Sequence, residues 1–337
     1  MKYLQPTEYM YASARIRALE NHLVGRERVD ALLDARSAEE VWSRLADLGV
    51  TQSVAAENGD ATASRGESVL LAVLRTAYKE AEDAVPEPSV FRYFRYPYDC
   101  NNLKAAIKCR VRGVDPADML FDFGTVPATD VERCVREDDY AAFPSHMAAA
   151  ATVAAETYAK TGDPRVIDTV IDRACYEDML RCAEEADPTL AGWVKAKIDL
   201  VNIMICLRLI RMKRGELGRV FLGESLLSGG TLDKRLLDEL YVAGEDALWS
   251  ALYTTRYADL SAGMNHDVSL AAVEKRADDC LMRIVREDAR VPFGAAVVGG
   301  YLMGCETAVK NIRMIIAAKE AGLDTAVIRE RIRESYV

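Results

Sequence analysis

Apolar residues recur at helical spacing along most of this chain, and three stretches repeat one version of the pattern. They are Phe94–Gly113, Lys197–Gly215 and Gly304–Gly322, aligned on Asn102, Asn202 and Asn311. Directly after each asparagine stands Leu103, Ile203 or Ile312, and one turn later Ile107, Leu207 or Ile316, which puts an apolar pair on one helical face. Each stretch closes on basic residues or Lys-Glu-Ala and then a glycine: Gly113, Gly215, Gly322. Glycine accepts the left-handed backbone that caps a helix, and cations suit the negative end of the helix dipole. Each stretch therefore predicts one amphipathic helix with a defined stop.

The remaining chain has the same character. Tyr9–Glu20 is helical in period, Gly25 interrupts it, and Val29–Leu33 resumes it. Ser37 and Glu40 have capping-box spacing ahead of a helix carrying Trp42. The polar run over 49–68 predicts a loop, and Val69–Ala81 a helix. Asp115-Pro116, Asp163-Pro164 and Asp187-Pro188 each combine a capping Asp with a Pro suited to a first helical turn. Met147–Lys160 and Leu270–Arg290 predict further helices, and Ser228–Thr231 a turn capping a helix over Leu232–Tyr241. Strand-like alternation is almost absent. The predicted fold is all-α.

A second marker supports internal repetition. Glu40-Val-Trp-Ser-Arg-Leu45 resembles Ala247-Leu-Trp-Ser-Ala-Leu252, and Trp42 precedes Asn102 by 60 positions where Trp249 precedes Asn311 by 62. The middle copy has only Thr129–Val135, without Trp, and Asp99 and Asp199 give way to Ala308, with Glu306 nearby, in the third. A period this long exceeds the roughly 20–50 residues of solenoid repeats, so the expectation is three related helical domains, 1–113, 114–215 and 216–337.

Charge refines the picture. The formal net charge is −10, which excludes a general nucleic-acid binder. Yet 101–114, 203–215 and 307–319 contain no Asp or Glu and carry several Lys or Arg. Lys104, Lys108, Arg208, Arg211 and Arg313 are therefore candidate contacts for an acidic partner surface, with helix capping or snorkelling as the plainer alternative. The eight cysteines include no Cys-x-x-Cys pair and the three histidines stand far apart, so no metal is expected. No basic-apolar-small leader opens the sequence, which predicts reduced, packed thiols. The longest nearly uncharged run, 291–305, is too short and glycine-rich to span a bilayer.

Catalytic patterns fail in turn. Gly299 and Gly304 have phosphate-loop separation, but Cys305-Glu306 follows where Lys-Ser/Thr must stand. Gly223-Glu-Ser225 lacks the second glycine of a nucleophile elbow. Asp138-Asp139 and Asp278-Asp279 are expected to face water.

The blocks Tyr9–Glu20 and Ala31-Leu-Leu-Asp-Ala-Arg36, Phe94-Arg-Tyr-Pro-Tyr-Asp-Cys-Asn-Asn-Leu-Lys104, and Glu306-x-x-x-Lys-Asn-Ile-Arg313 with Lys319-Glu-Ala-Gly-Leu323 resemble the C subunits of V/A-type rotary ATPases, relatives of the eukaryotic d subunits. The resemblance runs over essentially the whole chain. It implies a funnel of three similar helical domains about a pseudo-threefold axis, set between the central stalk (the D and F subunits) and the membrane proteolipid ring. It also implies torque transfer between ATP hydrolysis or synthesis and H+ or Na+ movement, no cofactor and no catalytic residue, and a peripheral place on the cytoplasmic face. Two rival readings are a free-standing helical scaffold holding a helical or peptide partner in a central cavity, and a hydrolase built on scattered carboxylates. The isolated chain is expected neither to bind nor to hydrolyse ATP. Saturable nucleotide binding by the purified protein, in a fluorescence or calorimetric titration, overturns this.

Overall fold

The computed structural model describes residues 3–50 and 63–337. Their helices begin with α1 (Met10–Glu20), α2 (Arg26–Leu33), α3 (Ala38–Asp47) and α4 (Ala63–Ala84). Then come α5 (Tyr96–Arg112), α6 (Ala128–Glu137), α7 (Ser145–Thr161), α8 (Arg165–Ala186), α9 (Pro188–Met212), α10 (Gly215–Ser225) and α11 (Lys234–Ala243). The chain closes through α12 (Glu245–Leu252), α13 (Ala258–Ser261), α14 (Leu270–Asp288), α15 (Ala295–Glu320) and α16 (Thr325–Arg329). No strand occurs among the described residues, so the fold is all-α. Among the same residues, no helix is long and apolar enough to cross a membrane.

The chain divides into two compact units. One holds Ser89–Gly244 together with Tyr3, the other Leu4–Pro88 with Glu245–Val337. In the first unit α8 lies between α5 and α9; α7 packs along α8, α6 against α5, and α10 and α11 against α9. The core here includes Trp193, Ile198, Ile203 and Leu207 of α9, all buried. In the second unit α15 is the axis, and α1, α2, α3, α4, α14 and α16 pack around it. Burial of each such Leu, Ile or Val contributes about 1.5–3 kcal/mol, which is why the longest apolar helices sit centrally.

Local chemistry sets the helix ends. Ser37 Oγ accepts the Glu40 N–H at 3.3 Å, while the Glu40 carboxylate reaches past the cap to the Arg36 N–H at 2.8 Å. Asp187 caps α9 by accepting from Thr189 and Leu190. Asp163 accepts the Arg165 N–H at 3.0 Å and so starts α8, but Asp115 starts only a single tight turn over Ala117–Met119. Gly113 and Gly322 are left-handed, at φ 66° each, as their position past a last turn predicts.

Four expectations are revised. The α9 cap falls on Lys213 (φ 52°), two residues before Gly215, which is left-handed (φ 54°) and opens α10. The cap of α11 is Asp233, because Thr231 is bound elsewhere. Most of the loop expected over 49–68 lies outside the described residues. Its described end is already helical, since α4 begins at Ala63 and Gly66 lets the backbone pass the Trp42 ring, where a Cβ would stand 2.9 Å from Cζ2. The third signature helix starts at Ala295 and runs through Gly299, Gly300 and Gly304.

A lysine in the left-handed region costs roughly 1 kcal/mol that glycine avoids, less the entropy glycine adds to the unfolded chain. Lys213→Gly is expected to leave stability unchanged or raise it by up to about 0.5 kcal/mol, whereas Gly113→Ala lowers it by about 1 kcal/mol. Urea midpoints of the two variants against the parent check the contrast.

Candidate functional site

The three asparagines sit inside their helices with almost no exposure, and each meets the backbone of a segment returning from further along the chain. Asn102 donates to the Phe121 carbonyl at 2.7 Å and accepts the Phe121 N–H at 2.8 Å. Asn202 does the same with Leu227, at 3.0 and 2.8 Å. Asn311 does the same with Arg333, at 3.0 Å for both bonds. The side-chain amide thus pairs with one residue's main chain as a neighbouring strand would. Both groups on each side are satisfied.

Around this clamp the first two copies agree in detail. Asp99 accepts from the Thr125 N–H (3.0 Å), the Thr125 hydroxyl (2.6 Å) and the Val126 N–H (3.0 Å). Asp199 accepts from the Thr231 N–H (3.0 Å), the Thr231 hydroxyl (2.5 Å) and the Leu232 N–H (3.0 Å). Both carboxylates are fully buried, and burial pushes the Asp99 carboxyl above its ordinary value even though three donors pull it down. Gly124 and Gly230 stand against these carboxylates so closely that a Cβ would collide with Asp99 Oδ1 or Asp199 Oδ1. The sequence does carry this signal, as Gly124-Thr125-Val126 and Gly230-Thr231-Leu232, each Gly three residues after the clamped position.

The third copy inverts the arrangement. Three residues after Arg333 stands Tyr336, the helix carries Ala308 where the other copies have Asp, and Gly304 and Gly300 lie beside the tyrosine. A Cβ on Gly304 would lie 2.8 Å from Tyr336 Cβ, and one on Gly300 2.6 Å from its hydroxyl oxygen. The carboxylate that receives the returning segment comes instead from α14: Asp279 accepts the Glu334 N–H at 2.7 Å. Beside it Asp278 accepts from Lys310 and Arg333 at 2.6 and 2.9 Å, and these two cations hold its carboxyl below the ordinary range against the opposing effect of burial. The expectation that Asp278-Asp279 faces water is therefore corrected. Asp279 is buried and both residues anchor the returning segment. Gly299 and Gly304 lie inside α15, so they form no loop around a phosphate.

The candidate cations divide. Lys104 pairs with Asp172 at 2.5 Å and Lys108 with Asp168 at 2.5 Å, both across the α5–α8 contact. Burial alone would lower the Lys104 pKa, but Cys100 and Asp172 outweigh it and the net direction is upward. In the other unit Arg313 makes a two-pronged pair with Glu67 at 2.6 and 2.8 Å. Such partly exposed pairs contribute about 0–1 kcal/mol each. Sequence inspection missed these partners because they stand 60 to 246 positions away. Arg208 is exposed and Arg211 half-buried on the last turns of α9. Just beyond them Met212, Leu217 and Val220 are more than half exposed, which makes the α9–α10 elbow both cationic and apolar.

Removing a clamp strands one N–H and one C=O, at about 1–3 kcal/mol for each group that water cannot reach. Leu227 is buried, Arg333 half-buried and Phe121 exposed. Destabilisation by Asn→Ala is therefore expected to fall in the order Asn202, Asn311, Asn102, from about 3 kcal/mol toward about 1 kcal/mol. Denaturant unfolding of the three variants reads this order directly, and equal losses would deny the clamps their graded exposure.

Residues 12–331 match the family described as the ATP synthase (C/AC39) subunit. The C subunit of the A-type ATP synthase of Thermococcus kodakarensis is 22% identical, covering 97% of this chain and 91% of that protein. That of Thermococcus gammatolerans is 26% identical over 97% and 90%. The C subunit of the V-type sodium ATPase of Enterococcus hirae is 24% identical over 76% and 78%. With the match running through all three signature helices, this chain belongs to the ATP synthase (C/AC39) subunit family.

Proposed function

We propose that this chain is a non-catalytic component of the central rotor of an A/V-type ATP synthase or ATPase. It links the central stalk, made of the D and F subunits, to the membrane proteolipid ring, and passes torque between ATP hydrolysis or synthesis and H+ or Na+ transport. The observation that carries this reading is the family match from residue 12 to residue 331, with relatives named as parts of A-type ATP synthases and a V-type sodium ATPase. The repeats 1–113, 114–215 and 216–337 then form three related domains around a pseudo-threefold axis, as a funnel receiving the stalk. The chain lies peripherally on the cytoplasmic face and is attached to the membrane through the ring alone. A rotor needs stiffness along the torque path, and the doubly bonded asparagine clamps fit that need.

The partner-binding cations proposed for the acidic stalk tip are Lys104, Lys108, Arg208, Arg211 and Arg313. Lys104, Lys108 and Arg313 already hold carboxylates of this chain, so an incoming acidic surface competes with those pairs. Arg208 is exposed and Arg211 half-buried at the end of α9, next to exposed Met212 and Leu217, where charge and apolar surface meet.

Stoichiometric co-purification with the stalk and ring proteins from solubilised membranes tests the assignment; a free-standing scaffold stays in the soluble fraction alone. Arg208→Glu with Arg211→Glu is expected to leave the melting temperature within a few degrees of the parent. The same change slows stalk association at low salt by about tenfold or more, and the difference shrinks as salt rises. Unchanged association kinetics in dilute buffer remove these two arginines from the interface.

A further inference from the structure

Eight thiols stand in this chain without a disulfide, seven of them buried. Two of them, on different helices, face one another. Cys100 of α5 lies with its Sγ 4.0 Å from the Ile171 carbonyl and 3.2 Å from Asp172 Oδ1, so it rests on the turn of α8 that precedes Cys175. A helical side chain leans toward the N-terminal turn, which brings the Cys175 sulfur back over that same spot. Ile171 is the residue one turn before Cys175, so the Cys100 sulfur rests against the carbonyl that Cys175 overlies, and each cysteine is only 3% exposed.

We propose that Cys100 and Cys175 form a reversible disulfide under oxidising conditions, a redox-sensitive clip that locks α5 to α8. Two S–H bonds break and one S–S bond forms; the two electrons and two protons go to a small oxidant, such as a diazene dicarboxamide reduced to its hydrazine or a disulfide reduced to two thiols. In the reduced state the Cys100 thiol sits beside Asp172 Oδ1, the oxygen that also takes the Lys104 ammonium. Oxidation removes that thiol hydrogen and leaves the carboxylate to Lys104. The neighbouring sulfur and burial raise the Cys100 pKa, so the thiolate is scarce and the clip closes slowly compared with an exposed thiol. A bond joining positions 100 and 175 closes a long loop in the unfolded chain, and its stabilising effect grows with loop length. The inference rests on the α5–α8 geometry alone and stands or falls independently of the rotor assignment.

The test uses the folded full-length chain treated with diamide, then alkylated, digested without reductant and mapped by mass spectrometry. The expected result is a Cys100–Cys175 linked peptide, a loss of two titratable thiols from eight, reversal by dithiothreitol, and a melting temperature raised by several degrees. Cys182→Ser removes the more accessible thiol and is expected to leave the clip intact, whereas Cys175→Ser abolishes it. Linkage of Cys182 instead, or eight intact thiols in the folded protein when the urea-unfolded chain oxidises readily, overturns the proposal. A lowered melting temperature in the linked form also overturns it as a clip.

Discussion

Three buried side-chain amides, two in the first unit and one in the second, must each find a partner, and the rest of the fold is arranged around them. An asparagine in the middle of a packed helix is unfavourable unless both its donor and its acceptor are met, and Asn102, Asn202 and Asn311 are each met by both main-chain groups of one residue. That requirement fixes where the chain must return after the helix ends. In the first two copies the returning turn then reaches Asp99 or Asp199, which sets the start of α6 or α11; in the third it runs along the glycine face of α15. The helices supply apolar burial, but the amide pairing decides their register against the connecting segments.

Much of this was legible in the chain. The helical period, the Ser37 cap and the Asp187 cap are local, and local rules found them. The clamp partners were not, because nothing in Phe121, Leu227 or Arg333 marks a main-chain group as a receiver. Thr231 looked like a helix cap because a hydroxyl before an apolar run usually is one; its bond to Asp199 depends on tertiary proximity that spacing does not encode. Asp278-Asp279 likewise looked like a solvent-facing pair until the returning segment supplied Arg333 and the Glu334 N–H. The early start of α15 was hidden by three glycines, each of which disfavours a helix by about 1 kcal/mol relative to alanine unless packing compensates.

The cations show how an acid-free stretch of sequence differs from an acid-free surface. Asp168 and Asp172 lie one turn apart on α8 and meet Lys108 and Lys104, also one turn apart on α5, so the α5–α8 contact carries two parallel ion pairs beside Cys100. Charge complementarity is thus used partly inside the first unit to hold helices in register, while the α9–α10 elbow presents cations and apolar side chains together outward.

The exchange at the third clamp has an evolutionary consequence. Copies one and two hold a carboxylate on the helix and a glycine on the returning turn; copy three holds a small residue on the helix and a tyrosine on the returning segment. Neither half of that swap is tolerable alone, since tyrosine at Gly124 collides with Asp99, and alanine at Asp99 orphans the donors of Thr125 and Val126. Passage between the two states by single substitutions therefore runs through a destabilised intermediate, so the two positions are coupled. The first two copies share one solution and the third holds the other, so the asparagine common to all three stands beside unlike neighbours only in the third.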